Sequence, residues 1–229
     1  LGGSDAYLVC EDADPALAAK ACVTSRLINN GQSCIAAKRW IVCDKVYDAF
    51  WQQVQIQMDQ WTMGDPALES TKVGPLARKD LADKVQSQVQ LSLQSGGELT
   101  SVAQACPEQG YFVAPGVLQN VGGESPAACD ELFGPVATLI QVSDDSQAVA
   151  VANSTSYGLG GAVFSDDLER AERLAALLET GTVAINDFVK SHPAVPFGGI
   201  GDSGLGRELA VEGVWEFANI KSVVLPERK

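Results

Sequence analysis

Short apolar runs alternate with longer amphipathic stretches along most of this chain. Ala6-Tyr7-Leu8-Val9-Cys10 is a compact apolar run and predicts a buried strand. Pro15 opens a helix reaching about Ile28, with Leu17, Ala21, Thr24 and Ile28 on one face and Ala18, Cys22 and Ser25 beside it. Trp40 to Cys43 reads as a second strand. Val46, Phe50, Val54 and Met58 mark an amphipathic helix from Val46 to Trp61. Another runs from Lys79 to Gln94, closed by Gly96-Gly97. Tyr111–Pro115 and Gly116–Leu118 read as strand pieces bent or placed at an edge by the proline. Further strands are predicted at Val136–Ile140, Gly161–Phe164 and Gly181–Asn186, with helices at Ser146–Asn153 and Asp167–Glu179.

A loop rich in Pro and Gly follows, from Asp187 to Gly204. Irregular stretches of that length in a compact domain are usually functional. A last helix is expected from Arg207 to about Gly213, and a last strand over Asn219–Leu225. The spacing of strands and helices is that of βαβ units. It predicts an α/β fold with a mainly parallel open sheet and helices on both faces. Residues 1–213 form its body and residues 214–229 a tail. The β-branched segment 219–225 has no partner within the alternation. An unpaired strand is a template for strand addition, so it predicts a symmetric homo-oligomer joined there.

The helical pattern that begins at Pro15 stops at Asn29-Asn30-Gly31-Gln32-Ser33-Cys34. A thiol on such a turn of small and polar residues can be reached by a substrate. Backbone N–H groups aimed at it lower its pKa and can bind an oxyanion. On this stretch alone, a buried structural cysteine remains the alternative to a nucleophile.

Composition narrows the choice. With 46% hydrophobic and 20% charged residues, 229 residues can bury a proper core. The net charge of −13 argues against nucleic acid or an anionic membrane surface as a partner. No apolar run reaches the length of a membrane span, and the stretch before the first strand does not read as a signal peptide. Leu1, in place of Met, suggests a chain cut from something longer. The six cysteines include no C-x-x-C pair and there is one histidine, which argues against a metal site. Several cysteines sit inside apolar elements, as suits a reducing cytoplasm. A Cys–His–Asn hydrolase would have to use His192 as its base.

Gly199-Ile200-Gly201-Asp202-Ser203-Gly204 formally matches G-x-G-x-x-G. It follows Pro196-Phe197 instead of a strand, and the chain ends too soon for the ribose-binding acid. Its glycines are expected to turn the backbone tightly beside a site.

Four segments, in this order, carry a resemblance to a known family. They are Asn30-Gly31-Gln32-Ser33-Cys34, Glu131-Leu132-Phe133-Gly134-Pro135, Asn153-Ser154-Thr155-Ser156-Tyr157-Gly158-Leu159, and Pro196-Phe197-Gly198-Gly199 running into Ser203-Gly204-Leu205-Gly206-Arg207-Glu208. Together they resemble the C-terminal catalytic part of the aldehyde dehydrogenase superfamily, without its N-terminal cofactor domain. The resemblance implies that Cys34 attacks an aldehyde, that hydride passes to NAD or NADP, and that water hydrolyses the thioester left on sulfur. It implies that Glu131 hydrogen-bonds the nicotinamide ribose and that Phe133 packs near the nicotinamide. The family's Glu-Leu-Gly-Gly motif is represented by Leu1-Gly2-Gly3, so its general-base Glu and the oxyanion-hole Asn are expected in the missing part. Gly201 stands where the family commonly has Lys. The stretch Asn186-Asp187-Phe188-Val189-Lys190-Ser191-His192-Pro193 resembles semialdehyde dehydrogenases. It implies Ser191 and Lys190 as partners for the distal carboxylate of a small-molecule aldehyde. A cofactor-independent thiol esterase and a non-catalytic assembly domain remain the competing readings.

Overall fold

The computed structural model describes residues 2–102 and 104–227. Leu1 and the last two residues of the tail, Arg228 and Lys229, lie outside the described residues. The chain runs β1 Ala6–Val9, α1 Pro15–Leu27, β2 Arg39–Cys43, α2 Asp44–Met58, α3 Lys79–Gln94, β3 Glu98–Ser101, β4 Gly116–Gln119 and α4 Pro126–Cys129. It continues β5 Val136–Val142, α5 Asp145–Ala152, β6 Tyr157–Gly158, β7 Gly160–Phe164, α6 Leu168–Ala175, β8 Thr182–Ile185, β9 Ile200–Gly201 and α7 Ala210–Trp215.

Seven strands form one sheet in the order β3-β4-β5-β2-β1-β7-β8. Every pairing is parallel except β3 with β4 at the edge. β6 and β9 form a separate antiparallel ribbon. Successive side chains of a strand face opposite sides, and the central strands follow that rule. Tyr7 and Val9, Trp40 and Val42, and Ala162 and Phe164 pack with α1 and α2. Ala6 and Leu8, Ile41 and Val163 pack with α5 and α6. Strands buried on both sides read as continuous apolar runs, as β1, β2 and β7 do. α3 and α4 cover β4 and the start of β5 through Leu118, Ala127 and Val136.

Several elements differ from the sequence expectation. α1 turns its small residues inward: Ala18, Ala19, Cys22 and Ser25 are buried, while Leu17 and Ile28 are each 43% exposed. Small side chains let α1 sit close against both α2 and the sheet. α2 and α6 end earlier than predicted because their last turns tighten. Trp61 N bonds Met58 O, and Leu177 N bonds Leu174 O, both three residues back. Tyr111–Pro115 is irregular, and the strand begins only at Gly116, after the proline that cannot donate to a ladder. β3 gave no signal because all its residues are exposed.

At the C-terminal end, α7 continues past Gly213 to Trp215. Gly213 is needed for packing rather than termination, since a Cβ there would lie 2.9 Å from Glu208 C. Residues 219–225 join no strand of this chain among the described residues. Ile220 is 99% exposed and Val224 91%. Among the described residues, no helix is long and apolar enough to cross a membrane.

Candidate active site

Three segments that enter neighbouring parallel strands meet at the amino ends of those strands. Gly2-Gly3 leads into β1, the Cys34 turn into β2, and Glu131–Pro135 into β5. Open α/β sheets commonly bind ligands at the carboxyl ends of their strands. That habit gives no hint of this convergence.

The turn itself is built by backbone conformation. Asn29, Asn30 and Gly31 all have positive φ, at 53°, 57° and 73°. Asn tolerates the left-handed region better than other residues with a Cβ. Gly31 has a second reason to be glycine: a Cβ would lie 2.1 Å from Gly134 O. Asn30 fastens the turn to the loop before α3, donating to Pro75 O at 3.2 Å and accepting from Gly74 N at 2.8 Å. Gln32 accepts from Ala77 N at 2.9 Å. Behind the turn, Ser25 Oγ accepts from Ala37 N at 3.1 Å and shares a hydrogen bond with the Tyr7 hydroxyl.

Charged groups hold the segments together from inside. The buried Arg26 guanidinium donates through one nitrogen to Gly31 O at 2.7 Å and to Leu132 O at 3.0 Å. Buried Gln88 of α3 donates to Glu131 O at 3.1 Å and Asp130 Oδ2 at 3.2 Å. Gly3 N donates to Glu131 Oε1 at 3.1 Å. A Cβ on Gly3 would lie 2.2 Å from Cys34 O, so only glycine fits between β1 and the turn. On the far side of Gly2, buried Ser203 donates to Gly2 O at 2.7 Å and accepts from Gly158 N at 3.0 Å. The glycine-rich 199–204 stretch is therefore a clasp on the site. Gly201, at φ 57°, would bring a Cβ to 2.4 Å from Ser156 O, which explains why no larger residue stands there.

The assembled segments enclose a cleft of about 570 Å³ lined by Gln32, Ser33, Cys34, Leu81, Lys84, Val85, Glu131 and Phe133. Cys34, Glu131 and Phe133, all singled out by sequence, are half-buried on its wall. Leu81, Lys84 and Val85 were missed. They share one face of α3, and the i, i+4 pair Leu81 and Val85 with Lys84 beside it was the available signal.

The thiol is not activated in the way its turn suggested. Backbone N–H groups of Cys34 and Ile35 do favour its ionisation, but burial, the Asp5 charge and the Glu131 charge push its proton affinity up on balance. Cys10, Cys22 and Cys43 are buried, and Cys106 and Cys129 are exposed; none of these five lines the cleft.

The semialdehyde stretch lies elsewhere. It leaves the carboxyl end of β8 and packs back on the core, where Val189 N donates to the Tyr7 hydroxyl at 2.9 Å. Ser191 and Lys190 are exposed on this loop and are not on the wall of the Cys34 cleft. Lys190 pairs with Asp187 at 2.7 Å and sits 4.1 Å above the Phe188 ring. His192 is exposed, accepts from Ala194 N at 3.2 Å and is absent from the cleft, so the structure does not bring it to Cys34 as a base. Among the described residues, no group of three or more His, Cys, Asp or Glu side chains could hold a metal ion.

Fold and site together define a parallel α/β domain that presents a thiol, a carboxylate and an aromatic ring in one cleft. The chain belongs to the aldehyde dehydrogenase family, whose model matches residues 1–223. It is 46% identical over 223 residues to a succinate-semialdehyde dehydrogenase [NADP(+)] of Deinococcus radiodurans, covering 97% of this chain and 47% of that protein. It is 41% identical over 223 residues to a succinate semialdehyde dehydrogenase [NAD(P)+] of Escherichia coli, covering 97% and 48%. A crystal structure of succinic semialdehyde dehydrogenase from Streptococcus pyogenes with NADP+ superimposes with a TM-score of 0.94 at 39% identity, over 99% of this chain and 50% of that one. The chain thus spans about half the length of the curated relatives it matches.

Proposed function

We propose that this chain is the thiol-bearing part of an NAD(P)-dependent aldehyde dehydrogenase, and that its substrate is a semialdehyde such as succinate semialdehyde. The observation that carries the reading is the meeting of Cys34, Glu131 and Phe133 in one cleft. The names of the relatives supply the substrate class. The Cys34 sulfur adds to the aldehyde carbon, and the thiol proton ends on the oxygen, giving a thiohemiacetal. The backbone N–H groups beside Cys34 suit the oxygen that becomes negative during addition. A nicotinamide held beside Glu131 and Phe133 would supply a hydride acceptor; loss of hydride from that carbon and of the hydroxyl proton to solvent would leave a thioester on Cys34. Water then cleaves the thioester to the carboxylate and restores the thiol.

The residues fit the nicotinamide end of such a cofactor. Glu131 keeps Oε2 without a hydrogen-bond donor among the described residues, so it can accept from a ribose hydroxyl. Phe133 offers a ring, and Lys84 places a positive charge in the same cleft. Ser191 and Lys190 are the proposed partners of the distal carboxylate, for which Lys190 would exchange Asp187. The exposed apolar segment 219–225 supports assembly with a second copy by strand addition.

The test is oxidation of succinate semialdehyde with NADP+ or NAD+ by the protein that contains this chain, before and after Cys34→Ala. Loss of cofactor reduction in the variant is expected. Ester hydrolysis that depends on Cys34, with no cofactor reduction by either protein, would instead establish the thiol-hydrolase reading.

A further inference from the structure

Asp5 stands directly behind the Cys34 turn, 2% exposed, at the entry to β1. Its backbone carbonyl accepts from Lys38 N at 3.2 Å and Arg39 N at 3.0 Å, which fixes the chain where it leaves the turn. Its Oδ1 accepts from Gly160 N at 3.1 Å. Its Oδ2 is buried and has no hydrogen-bond partner among the described residues. Gly160 makes room for it, because a Cβ there would lie 2.5 Å from Oδ2. The carboxyl and the turn both crowd Gly3: a Cβ there would lie 2.2 Å from Cys34 O and 3.1 Å from Asp5 Oδ1.

Two cations act on the carboxyl, but neither hydrogen-bonds it among the described residues, and the buried Arg26 Nε has no partner there. Arg39 gives Nε to Ser4 O, Nη1 to Val151 O and Nη2 to Ala152 O, at 2.9, 2.7 and 2.8 Å. Arg26 gives its Nη2 to Gly31 O and Leu132 O. They act on Asp5 through their field alone. A buried carboxyl with an orphaned oxygen is costly, and such groups concentrate at functional sites.

We propose that Asp5 is a positioning residue of this site: its carbonyl holds the outgoing end of the Cys34 turn, and its carboxyl governs how readily Cys34 gives up its proton. The proposal rests on the reading of Cys34 as nucleophile and adds a group that no sequence motif singles out. Burial pushes the Asp5 pKa up to about 7, opposed by the Gly160 N–H and then by Arg39 and Arg26, with Glu131 assisting. Below that pH the carboxyl is neutral; above it, a negative charge only partly offset by Arg39 and Arg26 stands behind the turn and disfavours the thiolate. Glu131 acts in the same direction from the segment before β5, and Lys84 also lines the cleft. The Tyr7 hydroxyl also faces Asp5 and stays protonated.

The test is the pH dependence of Cys34 alkylation by iodoacetamide, mapped by peptide mass, in the full chain and in Asp5→Asn. The variant keeps an oxygen for Gly160 N and removes the charge. Its labelling midpoint should move to lower pH, with a several-fold faster rate near neutrality. An unmoved midpoint in a folded variant overturns the proposal. If the variant does not fold, carboxyl NMR on the unmutated chain replaces it. Carboxymethylation of Cys34 by iodoacetate adds a negative charge and should raise the Asp5 midpoint relative to the neutral iodoacetamide adduct. Equal Asp5 midpoints in the two adducts overturn the proposal. Neither readout requires aldehyde oxidation, so failure here is distinct from failure of the dehydrogenase reading.

Discussion

Arg26 donates to Gly31 O across 2.7 Å, from the last turn of α1 to the turn that the same helix delivers. The same nitrogen reaches Leu132 O, so one buried guanidinium joins the thiol turn to the Glu131 segment. Arg26→Met would keep much of the volume and leave both carbonyls without that donor. Hydrogen bonds to charged groups are worth about 1.5–3 kcal/mol, so the variant should lose stability by about that amount. Urea unfolding checks this, and an unchanged midpoint would show that the bridge contributes nothing net.

Lys38 makes stability depend on pH. It is 1% exposed, its Nζ meets only Ser4 Oγ among the described residues, at 3.1 Å, and burial lowers its pKa from 10.5 to about 6. Between those values the unfolded chain binds the proton and the folded chain does not. The contribution of Lys38 is thus present above 10.5 and lost as pH falls through about 6. The raised Asp5 carboxyl has the opposite slope, confined to the window between 3.8 and about 7. The urea midpoint should therefore climb from about pH 7 to about pH 9 in the unmodified chain and climb less in Lys38→Met. Equal climbs would mean that Lys38 is charged in the fold.

The substrate reading predicts a selective loss of affinity. Ser191→Ala and Lys190→Met should raise KM for succinate semialdehyde about tenfold each, the effect of losing a charge-assisted hydrogen bond. The kcat should hold, and KM for an uncharged aldehyde of similar length should not change. Equal effects on both aldehydes would remove these residues from carboxylate recognition.

Most of the sheet was legible because β1, β7 and most of β2 and β5 are short apolar runs bounded by turn residues. β3 was not, since its exposed Glu98-Leu99-Thr100-Ser101 carries no burial pattern. The thiol, Glu131 and Phe133 were found through local motifs. Asp5, Arg26 and Lys38 were not, because charged residues inside apolar or small-residue stretches read as solvent-facing. Their partners are remote in sequence: Leu132 O for Arg26, Gly160 N for Asp5 and Ser4 Oγ for Lys38. The face of α1 was misjudged for a related reason: size suggested Leu17 and Ile28, while close approach selected alanines.

The exposed tail carries an assembly prediction. Deleting residues 219–229 should lower the sedimentation coefficient if these residues join a second copy by strand addition. An unchanged oligomeric state would take the tail out of the interface.

The central claim is that Cys34 adds to the aldehyde. Succinate semialdehyde should protect Cys34 from iodoacetamide in a saturable way, while the exposed Cys106 and Cys129 are labelled at their usual rates. Succinate, which has no aldehyde carbon, should not give this protection. Labelling of Cys34 at the same rate with and without the semialdehyde would contradict the account.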